Sequence, residues 1–501
     1  MKKIELWADS FHEGDWACGH LSKFHQDAGF KATKEYLKGF IPVYRFEFLE
    51  ISLEITVYGA YNSWSPIPEE IKKLIEWGKP DFLAYDPETK EILFAVEETA
   101  AIPTGNQALQ RCERQYGASR AKIPYWYLLA EYGTHKDGGI RRDSIWPTIM
   151  AIKLSLFNKT PSVIVHYADK ENPEGYDFGN GVNSLFTALY KMLNNFVLNE
   201  PVLNEIQPIL KDHYSDMFRF LISQHENIIK HLPGQEEFNN SELLDILVNT
   251  SINKLGFDKD KFRDKYPKFL YWPSTLDWYK DGGDKVSSSS LIKHDNFASQ
   301  LEQSIDLGYS YVISSNAGSK PQKKQSVVEW LDKQKKSFDK AAKSKKLDVS
   351  FNIQIKDFPL SDKGNLHLTT AKNIIYFFDS FKQLKKLINT VMPRTSNLID
   401  EYDENKKALV YLSNSIKPGR IFGDPFTGQI SAYATSFGKL DSPSRIMIAY
   451  FPHQSFSQFI DSPERLVTNK GFVLMRELID FVILAGGIIV KFNKDGRAEA
   501  F

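Results

Sequence analysis

Trp77-Gly-Lys-Pro-Asp-Phe-Leu-Ala-Tyr-Asp-Pro-Glu-Thr-Lys-Glu-Ile-Leu-Phe-Ala-Val-Glu-Glu-Thr-Ala-Ala-Ile-Pro-Thr-Gly-Asn-Gln-Ala-Leu-Gln-Arg111 is the stretch on which the fold turns. Asp81 to Tyr85 reads as a strand, Asp86-Pro-Glu-Thr-Lys as a turn, and Glu91 to Glu97 as a second strand. The second strand runs Phe94-Ala-Val straight into Glu97 and Glu98. Carboxylates at the end of an apolar strand are costly to bury unless something uses them, and a divalent cation is a common user. Antiparallel pairing across the turn predicts that Asp81 and Glu97 meet at one end of the sheet.

The flanks extend this unit in both directions. Pro66 to Trp77 places apolar residues at 71, 74, 75 and 77 behind Pro66 and Pro68, which predicts a short amphipathic helix. Residues 41–60 alternate apolar and polar side chains, as a strand or hairpin with one wet face does. A helix is predicted from Thr104 to about Gly117, then strands over 123–131 and 162–167. The expectation is an α/β fold with a mixed sheet flanked by helices.

The chain has 501 residues, enough for two or three domains, and 63 basic against 63 acidic residues. With no net charge, binding to a polyanion has to come from local patches. Two cysteines, Cys18 and Cys112, point to a reducing cytoplasm, and the N-terminal apolar segment is too short for a signal peptide. Gly471 to Val490 is the most apolar stretch but carries Arg476, Glu477 and Asp480. It reads as a buried helix ending in a Gly-Gly turn, so no membrane span is expected. Residues 1–30 hold His12, Cys18, His20 and His25 at no zinc-finger spacing, and read as a polar loop with surface histidines.

Three parts are expected: an α/β unit over 1–170 that holds the acidic hairpin, a helical and lysine-rich region over 171–350, and a further α/β region over 351–501. Lys320 to Lys346 holds ten lysines against Glu329, Asp332 and Asp339, a density that suits a nucleic-acid-facing patch including Lys335 and Lys336. In the last part, 408–412 and 444–451 read as strands, and Pro418 to Gln429 is dense in turn residues.

Pro80-Asp81, fifteen residues, then Glu97-Glu98-Thr99 resembles the signature of the PD-(D/E)XK nucleases, over about residues 65–130. The resemblance implies a restriction-endonuclease-like sheet in which Asp81 and Glu97 bind Mg²⁺, with Glu70, or its neighbours Glu69 and Glu76, adding a third oxygen. It places Glu98 and Thr99 in the catalytic motif. Thr99 departs from the family, because it stands where the motif carries the lysine that positions the attacking water. Glu98, Gln107, Gln110 and Arg111 are the candidates to replace it. Gln107, Gln110, Arg111 and Arg114 share one helix face at helical spacing, which suits phosphate and base-edge contacts.

These features lead to the expectation of a Mg²⁺-dependent, sequence-specific double-stranded DNA endonuclease resembling a type II restriction enzyme and leaving 5′-phosphate ends. A homodimer is needed for such a chain to cut both strands. Two other classes stand beside it: a defence-associated DNA-binding protein with an inactive nuclease fold, and a metal-dependent hydrolase of another substrate.

Overall fold

The computed structural model describes residues 1–61, 66–99, 111–130, 145–167, 178–214, 309–314, 372–378, 380–391, 399–413, 445–451, 470–484, 488–493 and 498–500, with single helical positions elsewhere, among them 109, 216–217 and several in 325–343 and 428–435. The chain divides into two compact units, one of residues 1–272 with 431–436 and one of 273–430 with 437–501.

The first unit is built on β1 (Lys2–Ala8), α1 (Phe11–Asp27), β2 (Ala32–Leu37), β3 (Ile41–Glu47), β4 (Ser52–Tyr58), α2 (Glu69–Ile75), β5 (Phe82–Asp86), β6 (Glu91–Thr99), α3 (Cys112–Arg120), β7 (Tyr125–Ala130), α4 (Ile145–Asn158), β8 (Ser162–Tyr167) and α5 (Phe178–Val197). The strands form one sheet in the order β2-β3-β4-β1-β5-β6-β7-β8. The pairs β1–β4, β6–β7 and β7–β8 are parallel and the rest antiparallel. This is the expected mixed α/β sheet. Strand β4 alternates buried and half-buried side chains, with one face more open than the other, whereas β5 is buried on both faces.

Residues 1–30 are not a polar loop. Strand β1 lies between β4 and β5, and Ile4, Leu6, Trp7 and Ala8 are in the core. Ser10 caps α1 by accepting a hydrogen bond from the Glu13 backbone N–H at 3.2 Å. Gly14, Ala17, Cys18, Leu21 and His25 then recur at three- and four-residue steps and form the buried stripe. The histidines are used in packing: His20 stacks on Phe186, and His25 bonds the Tyr190 hydroxyl at 2.8 Å and the Glu47 carbonyl at 2.9 Å.

The break expected at residue 170 falls inside this unit. Helix α5 sends Val182, Leu185, Phe186, Leu189, Met192 and Leu193 into the same core as α1 and the sheet.

The second unit contains β9 (Tyr309–Ser314), β10 (Lys372–Phe378), α6 (Phe381–Val391), β11 (Lys407–Ser413), β12 (Arg445–Phe451), α7 (Lys470–Leu478), β13 (Phe481–Leu484), β14 (Ile488–Phe492) and β15 (Ala498–Ala500). They form a sheet in the order β15-β14-β13-β12-β11-β10-β9, with β11, β12 and β13 parallel. The strands expected near 408–412 and 444–451 are β11 and β12. The helix expected over Gly471 to Leu484 ends at Leu478. Asp480 pins the chain to β12, its N–H donating to the Met447 carbonyl at 2.8 Å and its carboxylate accepting from the Met447 N–H at 2.7 Å. Phe-Val-Ile-Leu then continues as β13 beside β12. Among the described residues, no helix is long and apolar enough to cross a membrane.

Candidate functional site

The register between β5 and β6 pairs Phe82 with Val96, which sets Asp81 against Glu97 one step beyond. The Asp9 N–H donates to the Asp81 carbonyl at 2.9 Å, so the C-terminal end of β1 joins the same edge. Strands β6, β7 and β8 run parallel and also finish there, and α1 begins there at its Ser10 cap. The C-terminal ends of parallel strands are where open α/β sheets hold their ligands.

Tyr61 braces the Pro80-Asp81 peptide. Its buried phenol donates to the Pro80 carbonyl at 2.6 Å, and its N–H donates to the Ala8 carbonyl at 3.2 Å. Ala60 and Tyr61 both have positive φ, 62° and 43°. Non-glycine residues persist in that region only where the surroundings hold them, and such strain collects at functional sites.

Glu97 is fully buried, and its Oε1 accepts from Arg111 Nη1 at 2.7 Å and Arg114 Nη1 at 2.5 Å. Burial pushes its carboxyl pKa up, while Arg114 and Arg111 pull it back down. Burial would lower both arginines, but Glu97 more than offsets this and they are held more firmly protonated. Two charge-assisted contacts on one oxygen make the ionised triad the state that this geometry holds. Glu97 Oε2 is buried with no hydrogen-bond partner.

Asp81 Oδ2 accepts from the Glu98 N–H at 2.5 Å. Its carboxyl pKa is pushed up to about 8, first by burial and then by the charge of Glu97, with the Glu98 N–H and Arg111 acting the other way. The Glu98 carboxylate accepts from the Tyr167 hydroxyl at 2.6 Å. Arg111 Nη1 also donates to the Glu98 carbonyl at 2.6 Å and to Thr99 Oγ1 at 2.7 Å, and Thr99 shares a 3.1 Å hydrogen bond with the Tyr127 hydroxyl. A guanidinium at the N-terminus of α3 thus reaches Thr99.

Asp81, Glu97, Glu98, Thr99 and Arg111 therefore come together. Glu70 does not join them. Its carboxylate accepts from the Tyr85 hydroxyl at 3.2 Å, and Tyr85 lies four residues along β5 from Asp81, about 13 Å at ~3.3 Å per residue. Glu13 is nearer in electrostatic terms. Burial raises its pKa, and Asp9 and Glu98 add to the rise; its Oε2 is buried without a partner. Ser10-Phe-His-Glu13, a capping-box pattern, was the sequence signal for a helix start there. Tyr61 and Tyr167 carried no such signal.

The outward DNA-binding face expected for the helix after β6 is corrected in part. Arg111 and Arg114 turn inward onto Glu97, and Gln115 is buried, donating to Ser162 Oγ at 3.0 Å. Gln107 and Gln110 lie outside the described residues. Lys335 and Lys336 are exposed at helical positions, with Lys333, Lys340 and Lys343 exposed nearby.

Among the described residues, no three His, Cys, Asp or Glu side chains group as a metal cage. The donors still fit Mg²⁺ in its usual manner, with one or two carboxylates and retained waters. Glu97 Oε2 is an orphaned buried acceptor opposite Asp81, the kind of oxygen such an ion takes. No protein-family model matches this chain, and neither does any curated protein or solved structure.

Proposed function

We propose that the chain is a Mg²⁺-dependent, sequence-specific double-stranded DNA endonuclease of the type II restriction kind, built on a restriction-endonuclease-like sheet. The observation that carries this reading is the meeting of Asp81, Glu97 and Arg111 at one sheet end, with Arg111 touching Thr99 where the motif has lysine. Asp81 and Glu97 are the residues to hold the cation. When bound, Mg²⁺ supplies charge neutralisation at the phosphate and an activated water. Arg111 and Arg114 present guanidinium forks suited to phosphodiester oxygens, and each keeps part of its side chain exposed. Tyr167 holds Glu98, and Tyr61 holds the Pro80-Asp81 peptide in place. The exposed lysines around 335 and 336 supply sequence-independent backbone contacts.

The second reading is a DNA-binding protein whose centre does not cut. It is favoured by the two arginines already seated on Glu97. Incubation of supercoiled plasmid with the protein and Mg²⁺ separates the two. Discrete linear fragments, lost on Asp81→Ala or Glu97→Ala, support the nuclease. Salt-sensitive binding with no nicking supports the second reading. Undiminished cutting by the Asp81→Ala/Glu97→Ala double variant overturns the site assignment.

A further inference from the structure

We infer that Arg111 and Arg114 act as a latch on Glu97, so that a phosphodiester anion and a divalent cation bind this site with positive coupling. The inference rests on the proposed cation site at Asp81 and Glu97 and adds a rule for when that site fills.

The geometry is specific. Both arginines place Nη1 on the same oxygen of Glu97, at 2.7 and 2.5 Å. Glu97 is wholly buried, whereas the side chains of Arg111 and Arg114 keep 34% and 23% of their surface exposed. The carboxylate is therefore fixed in the sheet, and the cations are the partners free to lean outward. Arg111 is the N-cap residue of α3, and Arg114, in its first turn, has its Nε buried with no hydrogen-bond partner. Arg114 thus has an unused donor beside its Glu97 contact, whereas Arg111 Nη1 also holds the Glu98 carbonyl and Thr99 Oγ1 and would exchange those contacts together with Glu97.

A divalent cation approaching Glu97 Oε2 meets two positive charges that hold Oε1 of the same carboxylate. In a buried site that repulsion is weakly screened. An anion bound to the outer edges of the guanidiniums cancels much of that field and draws both side chains off Glu97. The cation then finds a carboxylate with both oxygens available. By linkage the effect is mutual: bound cation withdraws Glu97 from the arginines and strengthens their hold on the anion. The latch keeps the centre poor in metal until a phosphodiester arrives.

The test is calorimetric titration of Mg²⁺ into the full chain, with and without dimethyl phosphate, at ionic strength matched with perchlorate. Coupling in the usual allosteric range predicts that dimethyl phosphate tightens Mg²⁺ binding roughly 5–150-fold. Arg111→Gln/Arg114→Gln should bind Mg²⁺ more tightly than wild type and ignore dimethyl phosphate. Glu97→Gln should lose the Mg²⁺ response and bind dimethyl phosphate more tightly, because the arginines are released. This arm holds even where the double arginine variant fails to fold. Wild-type Mg²⁺ affinity that is sensitive to Asp81→Asn but the same with and without dimethyl phosphate overturns the latch and leaves the cation site standing. No Mg²⁺ binding in either condition overturns both.

Discussion

Neutralising Asp81 should stabilise the metal-free protein at alkaline pH. Burial and the charge of Glu97 push its carboxyl up to about 8, against about 3.9 in an unfolded chain. The folded state therefore binds the extra proton between those values. Stability from this group is complete below pH ~4 and is lost as pH rises through about 8. Between about pH 5 and pH 8 the loss is about three units at ~1.4 kcal/mol each, about 4 kcal/mol. That figure is a ceiling, because Asp81 and Glu97 titrate as a pair. Asparagine keeps the acceptor for the Glu98 N–H and carries no charge to desolvate. The assay is urea unfolding of wild type and Asp81→Asn at both pH values, without divalent cation. The variant's advantage should grow with pH by up to about 4 kcal/mol. His20 and His25, whose pKa values burial lowers, contribute with the opposite sign but cancel in the difference between the two proteins. Saturating Mg²⁺ should restore the wild type at the higher pH and leave the variant unmoved. An advantage that stays flat with pH would refute the argument, since it would mean that Asp81 is solvated and ordinary.

Three further outcomes follow from the same geometry. Gly117→Ala places a Cβ 2.3 Å from Trp77 Cγ, so it should cost about 1–3 kcal/mol in chemical denaturation and displace α3 with Arg114. Arg114→Ala leaves buried Glu97 with one guanidinium and should cost about 2–3 kcal/mol after discounting its partial exposure; added Glu97→Gln should recover part of that loss, which a thermal or urea series will show. Lys335→Gln/Lys336→Gln should make the dependence of duplex DNA affinity on log salt shallower by roughly 2, at about 0.9 per phosphate contact; an unchanged slope would return those lysines to an ordinary solvated surface.

Much of the first sheet was legible in the sequence because its signals are local. The Asp86-Pro-Glu-Thr-Lys turn and the apolar runs on either side set strands β5 and β6 and, through their register, the approach of Asp81 to Glu97. Other segments misled for identifiable reasons. Polar and histidine-rich composition hid β1 and α1, although Ser10 and Glu13 marked a helix start and the buried stripe kept helical spacing. Apolar continuity made Gly471 to Leu484 look like one helix, because a buried helix and a buried parallel strand have the same composition over short runs. The divider is Asp480, whose hydrogen bonds to Met447 link residues far apart in the chain.

The candidate site divides along the same line. By itself the sequence determined which carboxylates face each other at the open end of a paired hairpin, because strand period and turn chemistry act over a few residues. It also placed Thr99 where the motif that this stretch resembles carries a lysine. Only the tertiary structure decided that Arg111 and Arg114 face Glu97 rather than solvent, that Tyr167 holds Glu98, and that Glu13, not Glu70, shares the acidic end of the sheet. Helical spacing says which residues share a face but not what that face meets. A buried carboxylate settles the matter, because leaving Glu97 uncompensated costs more than turning two arginines inward.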